Sequence, residues 1–121
     1  MNTENKIFGK TVFAYTEEQA VEDGMLLDLK DINADWEKGI FSHVTSQLVE
    51  NGYMKDNKLN LPNLLDLLNQ ANQIVKKVSK NFTEHDTFFA GSVETPFGDK
   101  QKIFMAQNSL GKFTIMLPED Y

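Results

Sequence analysis

One predicted helix constrains the fold of this 121-residue chain more than any other feature. Apolar residues recur three and four positions apart, which is the spacing of one face of an α-helix. The residues of this apolar stripe are Leu64, Leu67, Leu68, Ala71, Val75, Val78 and Phe82. We predict a helix over Pro62–Lys80, capped by Asn60, with Pro62 in its first turn and lysines near its end.

The C-terminal third of the chain supplies the layer that covers this helix. Three segments are rich in β-branched and aromatic residues, and turn residues separate them at 96–99 and 108–111. We expect strands over Thr87–Val93, Lys102–Gln107 and Lys112–Leu117. They form an antiparallel β-meander on which the helix packs, with Leu64, Leu68, Ala71 and Val75 buried.

The N-terminal half is predicted to form shorter helices and strands. Residues Ile7–Tyr15 are typical of a short strand, and Thr16 can cap a short helix that ends at Gly24. A second helix is predicted over Ser42–Gly52, with Val44, Leu48 and Val49 facing inward. The whole chain, residues 1–121, is thus predicted to be a single α+β domain.

Negative charge is concentrated in residues 17–37, here called the acidic stretch. Eight carboxylates oppose one cation, Lys30, which gives −7 in this stretch against −6 for the whole chain. The carboxylates belong to Glu17, Glu18, Glu22, Asp23, Asp28, Asp31, Asp35 and Glu37. Such a stretch either keeps a small domain soluble or attracts a basic groove on a partner. We predict that these eight residues and Trp36 bind a partner, although a core position is the favoured role for Trp36.

Composition excludes several classes of function. The chain has no cysteine, so disulfides and thiolate chemistry are excluded. All twelve cations are lysines, which argues against arginine clamps on phosphate and against sequence-specific reading of DNA. No apolar run is long enough to cross a membrane, and the N-terminus does not read as a signal peptide. We therefore expect a cytoplasmic protein with no membrane partner and no direct nucleic-acid partner.

The histidines and phenylalanines form no recognisable motif. His85 lies between two carboxylates and His43 is the only other histidine, but neither has the spacing of a metal or general-base site. No catalytic residue, metal or cofactor is predicted. Phe88, Phe89 and Phe104 could form a stacking platform for RNA, although core packing is the favoured role because cationic surroundings are lacking.

Two segments resemble the ends of a small family of unknown function that plasmids and other mobile elements encode. They are IFGKTVFAYTEEQAVEDGMLLDL, residues 7–29, and FTIMLPEDY, residues 113–121. The similarity lies in an aromatic residue before Tyr-Thr, an alanine-containing helix, Asp-Gly, an apolar-Asp strand and a Thr-Ile-Met-Leu-Pro-acidic end. It covers about a quarter of the chain, and it transfers no catalytic residue.

This resemblance implies a setting in which small acidic inhibitors of host defence nucleases occur. By analogy we expect an anti-CRISPR protein that binds the type II effector nuclease, whose guide–target duplex lies in a positive channel, and blocks guide RNA or DNA binding. Two alternatives stay open: a small metal-dependent RNA-cleaving enzyme, and a plasmid maintenance or regulatory module that binds another protein.

Overall fold

The computed structural model describes residues 17–78 and 87–121, which form an α+β fold. The helices of these ranges are α1 (Glu17–Glu22), α2 (Leu29–Ile32), α3 (Ser46–Val49) and α4 (Leu61–Val78). The strands are β1 (Leu26–Asp28), β2 (Phe41–Thr45), β3 (Met54–Lys55), β4 (Lys58–Leu59), β5 (Phe88–Glu94), β6 (Lys100–Gln107) and β7 (Phe113–Met116). Short 3₁₀ helices cover Ala34–Lys38 and Pro118–Asp120.

Helix α4 begins and packs largely as its apolar stripe predicts. The side chain of Asn60 accepts a hydrogen bond from the backbone N–H of Asn63 at 3.2 Å, which caps the helix. The buried residues of α4 are Leu64, Leu67, Leu68, Ala71 and Val75. The prediction was wrong for Val78, which is 66% exposed.

Five strands form one mixed sheet in the order β1-β2-β7-β6-β5. The predicted antiparallel meander is confirmed as β5, β6 and β7. The sequence prediction missed β2, which pairs with β7 in parallel. Strand β1, which pairs with β2 antiparallel, coincides with the apolar-Asp strand that the family resemblance implies. The N-terminal half therefore extends the same sheet.

The helix predicted over Ser42–Gly52 was wrong at its start. Residues Phe41–Thr45 form strand β2, and the helix is limited to Ser46–Val49. All five residues of β2 are buried, so the strand lacks the polar and apolar alternation by which a half-buried strand is recognised. Burial of Val44, Leu48 and Val49 is confirmed.

The main core lies between α4 and one face of the sheet. Helix α4 approaches β5 so closely that a Cβ added to Gly91 would lie 2.8 Å from Cδ1 of Ile74. Residues that alternate with the core residues along the strands point to the other face. On that face Leu26, Ala106 and Met116 are buried, and Ala20 of α1 is buried as well.

Several sequence predictions fall outside the described residues. They are the strand over Ile7–Tyr15, the cap at Thr16, the end of the long helix at Lys80 with Phe82 beyond it, and the loop histidine His85.

Replacement of Leu67 by alanine tests the packing of α4. Leu67 is 0% exposed, so Leu67→Ala should lower the free energy of unfolding by about 2–5 kcal/mol in urea denaturation. Leu65 is 45% exposed on the same helix, and Leu65→Ala should cost less than about 1 kcal/mol. Equal losses for the two variants would show that another face of α4 is buried.

Candidate functional site

The fold gathers part of the acidic stretch around one groove. Helix α1 ends at Glu22, and Gly24 in the following turn has a positive φ of 77°, which turns the chain back so that α1 lies beside β1. Together with the start of α2 and the β6–β7 turn, these elements enclose a groove of about 520 Å³, here called the acidic groove. Its lining residues are Glu17, Glu18, Val21, Glu22, Asp28, Lys30, Asp31, His43, Ser109 and Leu110.

Both ends of α1 are attached to the rest of the fold. At the start of the helix, the Glu17 carboxylate accepts hydrogen bonds from the hydroxyl and the backbone N–H of Ser109. After the helix, the Ser46 hydroxyl donates to the carbonyl of Gly24, and the Ser46 N–H donates to that of Met25 at 3.0 Å. Glu17 is therefore a structural contact as well as a groove residue.

Asp28 is the groove carboxylate whose negative charge is balanced by a nearby cation. It caps α2 by accepting from the Lys30 backbone N–H at 3.1 Å, and it pairs with the Lys30 ammonium at 2.6 Å. Burial raises the pKa of Asp28, but the hydrogen bonds from Lys30 and the nearby His43 outweigh it, so the net pKa is lowered. Asp28 consequently stays ionised at the floor of the groove.

A β-bulge places Ser42 and His43 next to each other beneath the groove. The register of β2 against β7 shifts between Phe41 and His43, so one residue of β2 has no partner of its own. The Ser42 hydroxyl lies 2.7 Å from Nδ1 of His43 although the two residues are neighbours in the strand. A regular strand would point these side chains to opposite faces.

Asn108 fixes the direction of the hydrogen bonds at Ser42. Its side-chain oxygen accepts from the backbone N–H groups of Leu110 and Lys112, at 3.0 and 3.3 Å. Its Nδ2 is therefore the donor, to the Ser42 hydroxyl at 2.7 Å and to the Thr114 hydroxyl at 3.1 Å. Ser42 thus accepts from Asn108 and has its own proton left to donate.

Both ring nitrogens of the buried His43 lie near a polar group. Nδ1 is hydrogen-bonded to the Ser42 hydroxyl at 2.7 Å. Nε2 lies 3.7 Å from the Asp28 carboxylate. Burial lowers the pKa of His43, and the charges of Asp28 and Glu17 oppose this only in part. The ring is therefore neutral and polar under the carboxylates.

Most of the remaining carboxylates have no compensating cation among the described residues. Within residues 17–78 and 87–121, the only ion pair of the acidic stretch joins Asp28 and Lys30, and Asp28 also lies 3.7 Å from the neutral ring of His43. Exposed carboxylates without a cationic partner in these ranges are Glu18, Glu22, Asp23, Asp31, Asp35 and Glu37. Their mutual repulsion costs stability, and a positively charged partner would relieve it.

The other predicted site residues lie outside the groove. Asp35 and Trp36 face α4 across a separate cleft of about 210 Å³, which Leu65, Asn69 and Asn72 also line. Trp36 is half-buried and packs against the core, while it still lines this cleft. Glu37 lies between the two sites, where its carbonyl accepts from the Lys112 ammonium, and Asp23 occupies the exposed turn after α1.

Sequence reasoning missed the polar residues beneath the groove. Ser42, Asn108 and Ser109 carry no motif, and His43 was expected on a helix. Since 66 residues separate Ser42 from Asn108, only the pairing of β2 with β7 brings them together. The sequence indicated a turn at 108–109, but it did not indicate the contact of this turn with Glu17.

Neither a family model, a curated protein nor a solved structure matches this chain. In the described ranges, no three or more His, Asp or Glu side chains converge to hold a metal ion. No helix in the same ranges combines the length and the apolar character needed to cross a membrane.

The pKa of His43 tests the buried polar chain. Since burial disfavours the charged ring, its NMR titration midpoint should lie below the ordinary value of 6.5. Unfolding then takes up a proton, so the stability that His43 contributes is complete above pH 6.5 and declines as the pH falls through 6.5 towards the folded pKa.

Two variants separate the charges that act on this ring. Asp28→Asn should lower the midpoint further, because the Asp28 charge favours the imidazolium, and Asp31→Asn should lower it less. His85→Gln assigns the two histidine signals. A midpoint at or above 6.5 in the folded protein would contradict the described burial.

Proposed function

We propose that the protein is a stoichiometric inhibitor that binds the basic nucleic-acid groove of a partner protein in the cytosol of a bacterial host. The type II CRISPR effector nuclease is the proposed target. Bound there, the acidic surface occupies the place of guide RNA or DNA. The choice of target rests on the resemblance to a family from mobile elements and on the analogy with acidic inhibitors.

The uncompensated carboxylates of one surface are the observation that carries this function. Glu18 and Glu22 lie four residues apart on α1, a spacing that places two side chains about 5–6 Å apart on one helix face. Asp31 lines the same groove, so three exposed negative charges meet there without cationic partners in the described ranges. A row of lysines or arginines that normally contacts phosphates can contact such a surface instead.

Anchoring of these charges also supports an electrostatic binding role. Glu17 holds α1 to the β6–β7 turn, and Asp28 caps α2. The exposed carboxylates therefore sit on attached elements, which lowers the entropy cost of binding. The cleft beside Trp36 adds an aromatic contact next to the charged surface.

Charge reversal tests this function, and the structure indicates which residues to change. Glu18→Lys/Glu22→Lys alters exposed residues and spares Glu17 and Asp28, which make structural contacts. The double variant should weaken binding to the guide-free nuclease by about tenfold or more, equivalent to ~1.4 kcal/mol. Binding is measured by calorimetry and inhibition by a cleavage assay.

A matched control distinguishes the effect of charge at the acidic groove from the effect of net charge. Glu50→Lys/Glu119→Lys changes two exposed carboxylates outside the acidic groove, and both double variants change the net charge from −6 to −2. The control should bind within about twofold of the wild type, because distant exposed charges are screened beyond about 8 Å. Equal weakening by the two double variants, with circular dichroism unchanged, would reject a specific acidic surface.

A competition experiment tests the mode of inhibition. Nuclease loaded beforehand with guide RNA should be protected, because guide and inhibitor compete for one groove. The protein alone should leave the mobility of RNA and DNA unchanged, since it carries −6 and no arginine. Inhibition at substoichiometric amounts that disappears with EDTA would replace this function with the metal-dependent RNA-cleaving alternative.

A further inference from the structure

Within residues 17–78 and 87–121, strand β5 has an edge whose backbone groups are open. The two backbone groups of a strand residue point to the same side, and this side alternates along the strand. Thr87 and Thr95 point towards β6, since Thr87 accepts from Gln107 and Thr95 donates to Asp99. The backbone groups of Phe88, Ala90 and Ser92 therefore point away from the sheet. No described residue forms a backbone or side-chain hydrogen bond with them.

The open edge ends at Glu94, whose backbone groups have hydrogen-bond partners. Its N–H donates to the side-chain oxygen of Gln70 at 2.8 Å, and its carbonyl accepts from the Gln70 side-chain nitrogen at 3.0 Å. The amide of Gln70 thus pairs with Glu94 as a neighbouring strand would. The open part of the edge is limited to residues 88–92.

The edge lacks the features that usually prevent strand pairing. Residues 88–93 include no charged residue and no proline, and Phe88 is 41% exposed. Strand β1, at the opposite edge, is only three residues long and ends with Asp28. Edge strands of soluble proteins are normally shortened, charged or covered. Of the two edge strands in the described sheet, β5 is thus the one that can pair with a further strand.

We propose that a second copy of this chain covers β5 by antiparallel pairing about a two-fold axis at Ala90. Ala90 then faces Ala90 of the partner copy, and Phe88 faces the partner's Ser92. The three outward residues of each copy give about six backbone hydrogen bonds across the axis. The two sheets join into one continuous sheet with β5 at its centre.

Side-chain sizes favour this self-pairing. On the exposed face, Phe88 packs edge-on against Phe104 with ring centroids 5.0 Å apart, whereas Ala90 and Ser92 are small. The two-fold axis places each large Phe88 beside the partner's small Ser92. A row that pairs large with small side chains packs without overlap.

Charge does not oppose pairing at the axis itself. Residues 88–93 carry no charge, and β1, which ends with Asp28, lies four strand spacings or about 19 Å from β5. The pairing of two β5 edges does not depend on the proposed function.

Single cysteines test the register, because the chain has none of its own. Ala90→Cys puts two thiols at the axis, where Cα atoms of directly opposed residues are about 5.5 Å apart, within the range of a disulfide. Ser92→Cys is the matched control, since its two copies lie roughly 14 Å apart along the strands. Under mild oxidation the first variant should form a disulfide-linked dimer in high yield and the second should stay largely monomeric on non-reducing gels.

Sedimentation of the wild-type chain supplies the second readout. The wild type should be a dimer, and Ala90→Lys, which opposes two like charges at the axis, should be a folded monomer. A wild-type monomer from micromolar to millimolar concentration would overturn the proposal. A dimer that Ser92→Cys cross-links as well as Ala90→Cys would overturn it too, since another surface would then hold the copies together.

Discussion

The parallel pairing of β2 with β7 is the contact on which the rest of the structure depends. Phe41 pairs with Phe113 and Val44 with Ile115, so residues about seventy positions apart become neighbours at the centre of the sheet. Parallel strands cannot be joined by a tight turn. The chain between them therefore has room for α4, which covers one face, and for the β5–β6 hairpin, which widens the sheet. Through this pairing, the acidic N-terminal half and the nearly neutral C-terminal half fold as one sheet.

The acidic surface depends on this pairing in a specific way. The bulge at Ser42 turns a polar pair towards the groove, and Asn108 from the β6–β7 turn fixes its hydrogen bonds. Ser109 of the same turn holds α1 through Glu17. A run of charges in sequence thus becomes a groove with fixed walls, a neutral imidazole at its floor and exposed carboxylates on its rim. At the opposite edge of the sheet, residues 88–93 of β5 carry no charge.

Local sequence patterns predicted the elements that bury one face. They failed for the strand that is buried on both faces, because such a strand shows no regular alternation of polar and apolar residues. The stripe from Leu64 to Val75 and the turn residues of the meander were sufficient to predict α4, β5, β6 and β7. Strand β2 was mistaken for a helix because both of its faces are buried and its residues do not alternate between polar and apolar. The acidic stretch was evident from composition, but its division between the acidic groove and the Trp36 cleft was not. That division depends on contacts such as Glu17 with Ser109, which no spacing in the sequence encodes.

The central claim is that carboxylates on one fixed surface bind a basic nucleic-acid groove. The most direct measurement is the salt dependence of the affinity for the guide-free type II effector nuclease, from low to physiological ionic strength. If several exposed carboxylates contact lysines and arginines, the association constant should fall steeply and steadily as salt screens those contacts. An affinity that does not change with salt, or no binding at low ionic strength where electrostatic attraction is strongest, would contradict the account.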